Sequence, residues 1–172
     1  LCVHDVSGVT YARKSLSLPY LMMQHGCDYC TAVKRCVSEP RCMKQKQLVM
    51  WMLRKNGMKP FYGVCHMGVC EYILPVCQSG RLLAVVFASG MVKNDEPDCR
   101  SRMLRAKEKA APALRQRLEE SYGMFVQEST VSRETLRFFA ELAGERILRA
   151  AVGLTDADEG DPYAVESVRE GK

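Results

Sequence analysis

Cysteines are concentrated in the first part of the chain, at spacings that suit chemistry. The 172 residues include nine, and the segment "CDYCTAVKRCVSEPRC" opens with a C-x-x-C, Cys27 and Cys30, and continues with Cys36 and Cys42. Cys65 follows at the end of a predicted strand. Thiolates are soft ligands, and four of them in a tetrahedral arrangement suit zinc or an iron–sulfur cluster. The spacing therefore predicts a metal site formed by Cys30, Cys36, Cys42 and Cys65.

Two other interpretations of these thiols stay open. Free cysteines are often small buried apolar residues, although these have polar or charged neighbours in the sequence. Cys27 and Cys30 alone could instead be a dithiol redox switch, its pKa lowered by a helix N-terminus. An odd number of cysteines leaves at least one thiol over from any set of intramolecular disulfides. Because the sequence shows no secretory signal, we expect reduced thiols and a cytoplasmic location.

Composition and charge exclude several classes of protein. With 47% hydrophobic and 26% charged residues, the chain has the composition of a globular protein with a proper core. The longest nearly apolar run, "LLAVVFASGMV", is too short to span a bilayer, and no membrane role is expected. The net charge of +5 is modest, and the basic run from Arg100 to Arg117 is typical of a solvated helix face rather than a DNA-binding domain. Because the chain starts with Leu, we expect it to be a fragment of a longer protein.

Hydrophobic patterning predicts an α+β fold. Two short strands flank Ser7-Gly8, helices follow over 27–38 and 41–56, and three strands come next at 60–65, 70–78 and 81–90. The last strand is apolar throughout, as expected of a central strand. This order predicts a PAS/GAF-like five-stranded antiparallel sheet with helices on one side.

C-terminal helices are predicted to follow this sheet. Pro112 either starts a second helix or kinks a long one, and Ser132 is a suitable N-cap for a third. The apolar stripe of that third helix is predicted to contain Leu136, Phe139, Ala143, Ile147 and Ala150. The helix packs on its own domain or serves as a dimerisation arm.

Several short motifs, taken in order, resemble the PocR sensory domain. They are "LCVHDVSG" at the start, "DYC" at 28–30, "RC" at 41–42, "CHMGV" at 65–69, Pro75, and "GRLLAVVFASG" at 80–90. Family positions match at Cys30, Cys42, Cys65, His66 and Gly68. The chain departs from the family's pattern at Lys44-Gln45-Lys46, where the family has Ser-Asp, and at Met91 after the last strand.

The resemblance covers residues 1–92 and makes them a sensory domain. Patterning predicts a helical extension that dimerises or signals over 93–153, and a linker to a missing output module over 154–172. PocR domains occur in AraC-type transcription regulators, histidine kinases and related signalling proteins, so we expect DNA contact only through that module and a homodimer as the working form.

The resemblance also implies a small organic effector, such as a diol or a similar hydrocarbon derivative. We expect it to bind between the sheet and the helices of residues 27–57, close to Tyr62, Cys65, His66 and Tyr72. No catalytic motif is present in the sequence, so an enzyme is not expected. The alternatives are a metal-based or iron–sulfur redox sensor and, third, a redox enzyme that uses Cys27 and Cys30.

Overall fold

The computed structural model describes residues 1–9, 27–35, 39–92, 95–128 and 130–158. Strands and helices follow one another in the order β1 (Cys2–Asp5), α1 (Asp28–Val33), α2 (Glu39–Lys55), β2 (Phe61–Val64), β3 (Cys70–Gln78), β4 (Arg81–Val92), α3 (Glu96–Glu108), α4 (Pro112–Glu128), β5 (Thr130–Val131) and α5 (Arg133–Asp158). The predicted α+β class, with a five-stranded sheet and C-terminal helices, is confirmed.

The apolar strand β4 lies at the centre of the sheet, as its composition predicted. It pairs antiparallel with β1 on one side and with β3 on the other, and β2 forms the far edge beside β3. The short β5 pairs with the end of β4 in parallel, and sequence patterning did not predict it because two residues carry no periodicity. The second strand predicted after Ser7-Gly8 lies mostly outside the described residues.

Helices cover both faces of the sheet. Val85 and Phe87 of β4 and Ile73 of β3 form one buried cluster with Val49 and Leu53 of α2. The alternate residues of β4 point to the other face because successive side chains in a strand alternate, and there they pack against α5, chiefly through Leu136, Ala140 and Ile147. The predicted layer of helices over residues 27–57 is therefore joined by a second layer on the opposite face.

Local signals end α2 and start α5 where the sequence predicted. Gly57 adopts a positive φ of 71° just after α2, and the Met58 amide donates to the Leu53 carbonyl at 2.8 Å, which closes the helix end. At α5 the Ser132 hydroxyl accepts a hydrogen bond from the Thr135 amide at 3.1 Å. Pro112 starts α4 rather than kinking a longer helix.

The buried stripe of α5 matches the predicted one at Leu136 and Ile147 and departs from it at Phe139, which is 52% exposed. Ala140 is buried instead. Gly144 explains this departure: a β-carbon there would lie 2.8 Å from a methyl group of Leu74, so the helix approaches β3 along its small residues. None of the described helices is long and apolar enough to cross a membrane.

Candidate functional site

A tight turn between β2 and β3 presents Cys65 and His66. The Gly68 amide donates to the Cys65 carbonyl at 3.1 Å, and the Cys65 amide donates to the Val69 carbonyl at 2.8 Å. The Cys65 sulfur lies inside the turn and accepts from the amides of Met67 and Val69, each at 3.4 Å. The side chain of Cys65 is therefore fixed by the turn's own backbone, and His66 projects from its tip.

Tyr29 anchors α1 to this turn. Its hydroxyl donates to the Met67 carbonyl at 2.8 Å. Its ring packs against two aromatic residues of α4, Tyr122 at 5.3 Å and Phe125 at 5.5 Å between ring centroids. Burial of an aromatic ring with a satisfied hydroxyl is strongly stabilising. The next residue, Cys30, is thereby held above the sheet.

A cavity of about 280 Å³, here called the thiol chamber, lies between the sheet and helices α1 and α2. Apolar side chains form much of its wall, and thiols, imidazoles, two lysines, a glutamine and one glutamate supply the polar groups. Its lining residues are His4, Cys30, Val33, Lys34, Cys42, Met43, Gln45, Lys46, Cys65, His66, Met67, Glu71 and Phe87. Small-molecule sites typically combine an apolar wall with a few fixed polar groups in this way.

Three cysteines distant in sequence meet at this chamber. Cys30 comes from α1, Cys42 from α2 and Cys65 from the β2–β3 turn. The Cys42 sulfur lies 3.4 Å from Nε2 of His66, within hydrogen-bonding distance. Burial raises the pKa of the Cys65 thiol to about 12, so it is neutral at pH 7. Burial, followed by the charge of Arg41, lowers the pKa of His66, which makes its imidazole neutral as well.

Glu71, Lys46 and Lys34 add charge to the chamber. Glu71 is only 3% exposed, and burial raises the pKa of its carboxyl to about 7, against the opposing effect of Lys46. Burial and then Lys46 lower the pKa of His4 on the same side. Near pH 7 the chamber therefore offers a carboxyl that is ionised in part of the molecules, beside thiols and neutral imidazoles.

The predicted ligand-binding residues divide between the two faces of the sheet. Cys65 and His66 line the thiol chamber, whereas Tyr62 and Tyr72 lie directly opposite each other in the β2–β3 pair, on the face that α5 covers. Their rings are 4.7 Å apart, and the Tyr62 hydroxyl donates to the Arg133 carbonyl at 2.8 Å. The structure does not bring the two tyrosines to the chamber.

The metal prediction can be examined for three of its four ligands, because Cys36 lies outside the described residues. The Cys42 sulfur and the His66 nitrogen are 3.4 Å apart, and two ligands of one tetrahedral zinc ion, with bonds of about 2.3 and 2.0 Å, are separated by about 3.5 Å. This pair fits a zinc ion. Among the described residues, no group of three His, Cys, Asp or Glu side chains completes such a site.

Sequence reasoning missed a second pair of thiols. Cys70, at the start of β3, places its sulfur 3.1 Å from that of Cys99 in α3, and both residues are buried. The Cys99 thiol lowers the pKa of Cys70 by hydrogen bonding to its sulfur. The two residues are 29 positions apart, and only the packing of α3 against the β2–β3 turn brings them together.

Cys27 is the thiol, among the described residues, that we expect to react fastest. It caps α1 by accepting from the Cys30 amide at 3.4 Å, and the Cys30 thiol lowers the pKa of Cys27 to about 6. We expect iodoacetamide at pH 7 to label Cys27 about tenfold faster than the half-buried Cys77, because a far larger fraction is thiolate. Mass spectrometry after timed quenching measures this, and equal rates for the two residues would contradict it.

Comparison with known proteins gives no relative for this chain. Neither family models nor curated proteins nor solved structures match it. The resemblance to the PocR sensory domain therefore stays a prediction from the sequence motifs.

Proposed function

We propose that this chain is the sensory domain of a transcription regulator or signalling protein, and that it binds a small organic effector in the thiol chamber. The observation that carries the proposal is the chamber itself, whose apolar wall is interrupted by Cys42, His66 and Glu71. A neutral imidazole, a thiol and a carboxyl of raised pKa can donate to or accept from a hydroxyl group. A short alcohol or diol matches the volume and the polarity. The proposal includes a cytoplasmic location and no catalytic step.

The same elements that line the chamber contact the C-terminal helices. Tyr29 packs on α4, and Arg102 of α3 donates to the Val64 carbonyl at 2.9 Å, next to the turn that holds Cys65. A ligand that binds one arrangement of α1 and the β2–β3 turn more tightly than another increases the population of that arrangement, to an extent set by the difference in affinity. The positions of α3 and α4 that accompany this arrangement then become more populated as well. An output module in the same protein would respond to that shift.

The effector hypothesis predicts a ligand-dependent melting temperature. At about 100 times its dissociation constant, an effector stabilises the fold by about 2.7 kcal/mol and raises the Tm by about 5–10 °C. A panel of short-chain diols and alcohols should contain compounds with this effect. Met43→Trp, which places an indole at the chamber wall, should abolish it, while Met52→Trp on the same helix but outside the chamber should not. If no compound shifts the Tm, or both variants respond equally, the proposal fails.

A metal-based or iron–sulfur redox sensor is the second candidate. The observation that favours it is the pair of soft ligands formed by Cys42 and His66, with Cys30 and Cys65 lining the same chamber. Such a site would hold zinc or a cluster through thiolates, and the metal would keep those thiols deprotonated. Elemental analysis of protein purified without oxygen distinguishes the two candidates. Stoichiometric zinc or iron would support the metal-based redox sensor, and a metal-free, colourless protein would support the domain that binds an organic effector.

We further propose that the domain acts as a homodimer through the outer side of α5. Phe138 and Phe139 are 61% and 52% exposed, with ring centroids 5.6 Å apart, and Leu142 lies exposed beside them. Exposed aromatic clusters of this kind are enriched in protein interfaces. Sedimentation equilibrium should give the dimer mass for the native chain and the monomer mass for the Phe138→Ser variant.

A further inference from the structure

A second cavity, here called the cationic cleft, adjoins the thiol chamber. Its volume is about 250 Å³, and four cations line it: Arg41 from α2, Arg102 and Arg105 from α3, and Lys109, the residue that caps the C-terminus of α3. Residues three, four or seven apart lie on one face of a helix, so Arg102, Arg105 and Lys109 share one side. Arg41 belongs to a different helix. The described residues that line the cleft include no carboxylate.

Some basic residues of the described surface form ion pairs with carboxylates, namely Lys107, Arg133, Arg137 and Arg149. The cations of the cleft are not among them. In the cleft, Arg102 donates to the Val64 carbonyl, and no ion pair in the described part of the chain involves its three basic neighbours. Like charges gathered in one concave surface focus a positive potential and attract an anion.

His66 connects the cleft to the thiol chamber. It lines both cavities, and its Nε2 lies 3.4 Å from the Cys42 sulfur on the chamber side. Arg41 and Cys42 are neighbours on α2, one lining the cleft and the other the chamber. A ligand that occupies both cavities would place its apolar body against Met67 and its charged end among the arginines.

We propose that the ligand of the thiol chamber carries an anionic group, a carboxylate or a phosphate, that binds in the cationic cleft. The part of this inference that concerns the thiol chamber rests on the proposed function, whereas the part that concerns the cationic cleft rests only on the four cations that line it. Guanidinium groups bind both oxyanions through paired, charge-assisted hydrogen bonds. The neutral His66 between the cavities supplies a hydrogen bond at the junction.

Inorganic phosphate tests the cleft without the chamber. Titration into ¹⁵N-labelled protein should move the backbone amide signals around His66 and Arg105 saturably, and the shifts should weaken as sodium chloride is added. Arg105→Gln should raise the dissociation constant about tenfold, as expected for the loss of a charge-assisted hydrogen bond. Arg100→Gln, which removes the same charge from exposed α3 surface outside the cleft, should change it less than about twofold. Scattered shifts, or equal effects of the two variants, would overturn the proposal.

A matched series of ligands tests the connection and separates the two proposals. Butanoate and butyl phosphate should bind more tightly than butan-1-ol, and the ratio of their affinities identifies which oxyanion the cleft prefers. Arg105→Gln should remove the advantage of both anions and leave the affinity for butan-1-ol unchanged.

If butan-1-ol enters the chamber and the anions bind no better, this inference fails while the proposed function stands. If phosphate binds the cleft and no member of the series reaches the chamber, the proposed function fails. A short oligonucleotide that saturates the cleft more tightly than butyl phosphate would make it a nucleic-acid contact and overturn the small-ligand assignment.

Discussion

Replacing Gly68 with alanine is expected to lower the free energy of unfolding by about 3–5 kcal/mol. Gly68 has a φ of 84°, which residues with a side chain rarely adopt. An added β-carbon would lie 2.9 Å from the Cys99 carbonyl carbon and would overlap the carbonyl oxygen. Because both neighbours are backbone atoms, the turn and α3 would have to separate, and the turn carries Cys65 and His66.

Two other glycines provide matched controls for this prediction. Gly57 and Gly80 also have positive φ values, of 71° and 77°, but an added β-carbon would meet no atom within 4 Å at either. Alanine at these positions should therefore cost only the backbone strain, about 1–2 kcal/mol. Urea unfolding of the three variants measures the difference. A Gly68→Ala variant no less stable than Gly80→Ala would show that the turn does not pack against α3 as described.

Replacing Glu71 with glutamine is expected to remove most of the pH dependence of stability between about pH 5 and pH 8. Burial raises the pKa of Glu71 to about 7 in the folded chain, from an ordinary value of 4.5. The folded state therefore binds a proton that the unfolded state has released, and the free energy of unfolding falls as the pH rises through this window. A shift of this size corresponds to about 3 kcal/mol, fully present below pH 4.5 and lost above pH 7.

The chamber contains other groups that titrate or carry charge near Glu71. Lys46 favours the ionised carboxyl, the neighbouring Cys70 opposes it, and Lys34 adds a further positive charge to the chamber wall. Burial lowers the pKa of His4 and of His66 from 6.5, so each imidazole contributes a pH dependence of the opposite sign on the acid side of this window. We therefore expect Glu71→Gln to gain about 1–3 kcal/mol at pH 8 relative to the native chain and to match it near pH 5. The exposed Glu108→Gln variant should follow the native profile. Urea unfolding at a series of pH values tests this prediction. A free energy of unfolding that stays constant from pH 5 to pH 8 in the native chain would contradict the burial of Glu71.

Local signals made much of the fold predictable from the sequence. The apolar run of β4, the Gly57 end of α2 and the Ser132 cap of α5 are each set by a few neighbouring residues, so their structure could be predicted without tertiary information. The burial of Phe139 was predicted and is wrong, because the close approach of Gly144 to Leu74 decides the rotation of α5. That contact depends on the register of two distant elements.

The chamber was predictable only in part. Cys65 and His66 occupy a turn that the sequence marks with Gly68, and they line the cavity as expected. Tyr62 and Tyr72 face the other side of the sheet. Their direction could not be predicted because the first residues of β3 are buried in succession and show no alternation, and a shift of one residue reverses every side chain. Glu71, adjacent to Tyr72, faces the chamber instead. The sequence feature that could have identified Glu71 is that it is the single carboxylate inside an apolar strand.

Lys46 adds a positive charge to the wall of the chamber, next to Gln45, which also lines the cavity. The ammonium of Lys46 lies 5.9 Å from the centre of the Phe87 ring and 3.9 Å from the Cys2 sulfur. The sequence offered no reason to place this cation at the cavity, because its position depends on the packing of α2 on the sheet.

Methionine methyl NMR tests the central claim most directly, because Met43 and Met67 line the thiol chamber and Met52, on the same helix as Met43, does not. Protein labelled with ¹³C at the methionine methyls is titrated with the short-chain diols, alcohols and butanoate. A bound effector should shift the signals of Met43 and Met67 together, with one saturation curve, and leave that of Met52 in place. Saturable binding that moves Met52 while Met67 stays unchanged, or no saturable shift with any compound, would contradict an effector site between the sheet and helices α1 and α2.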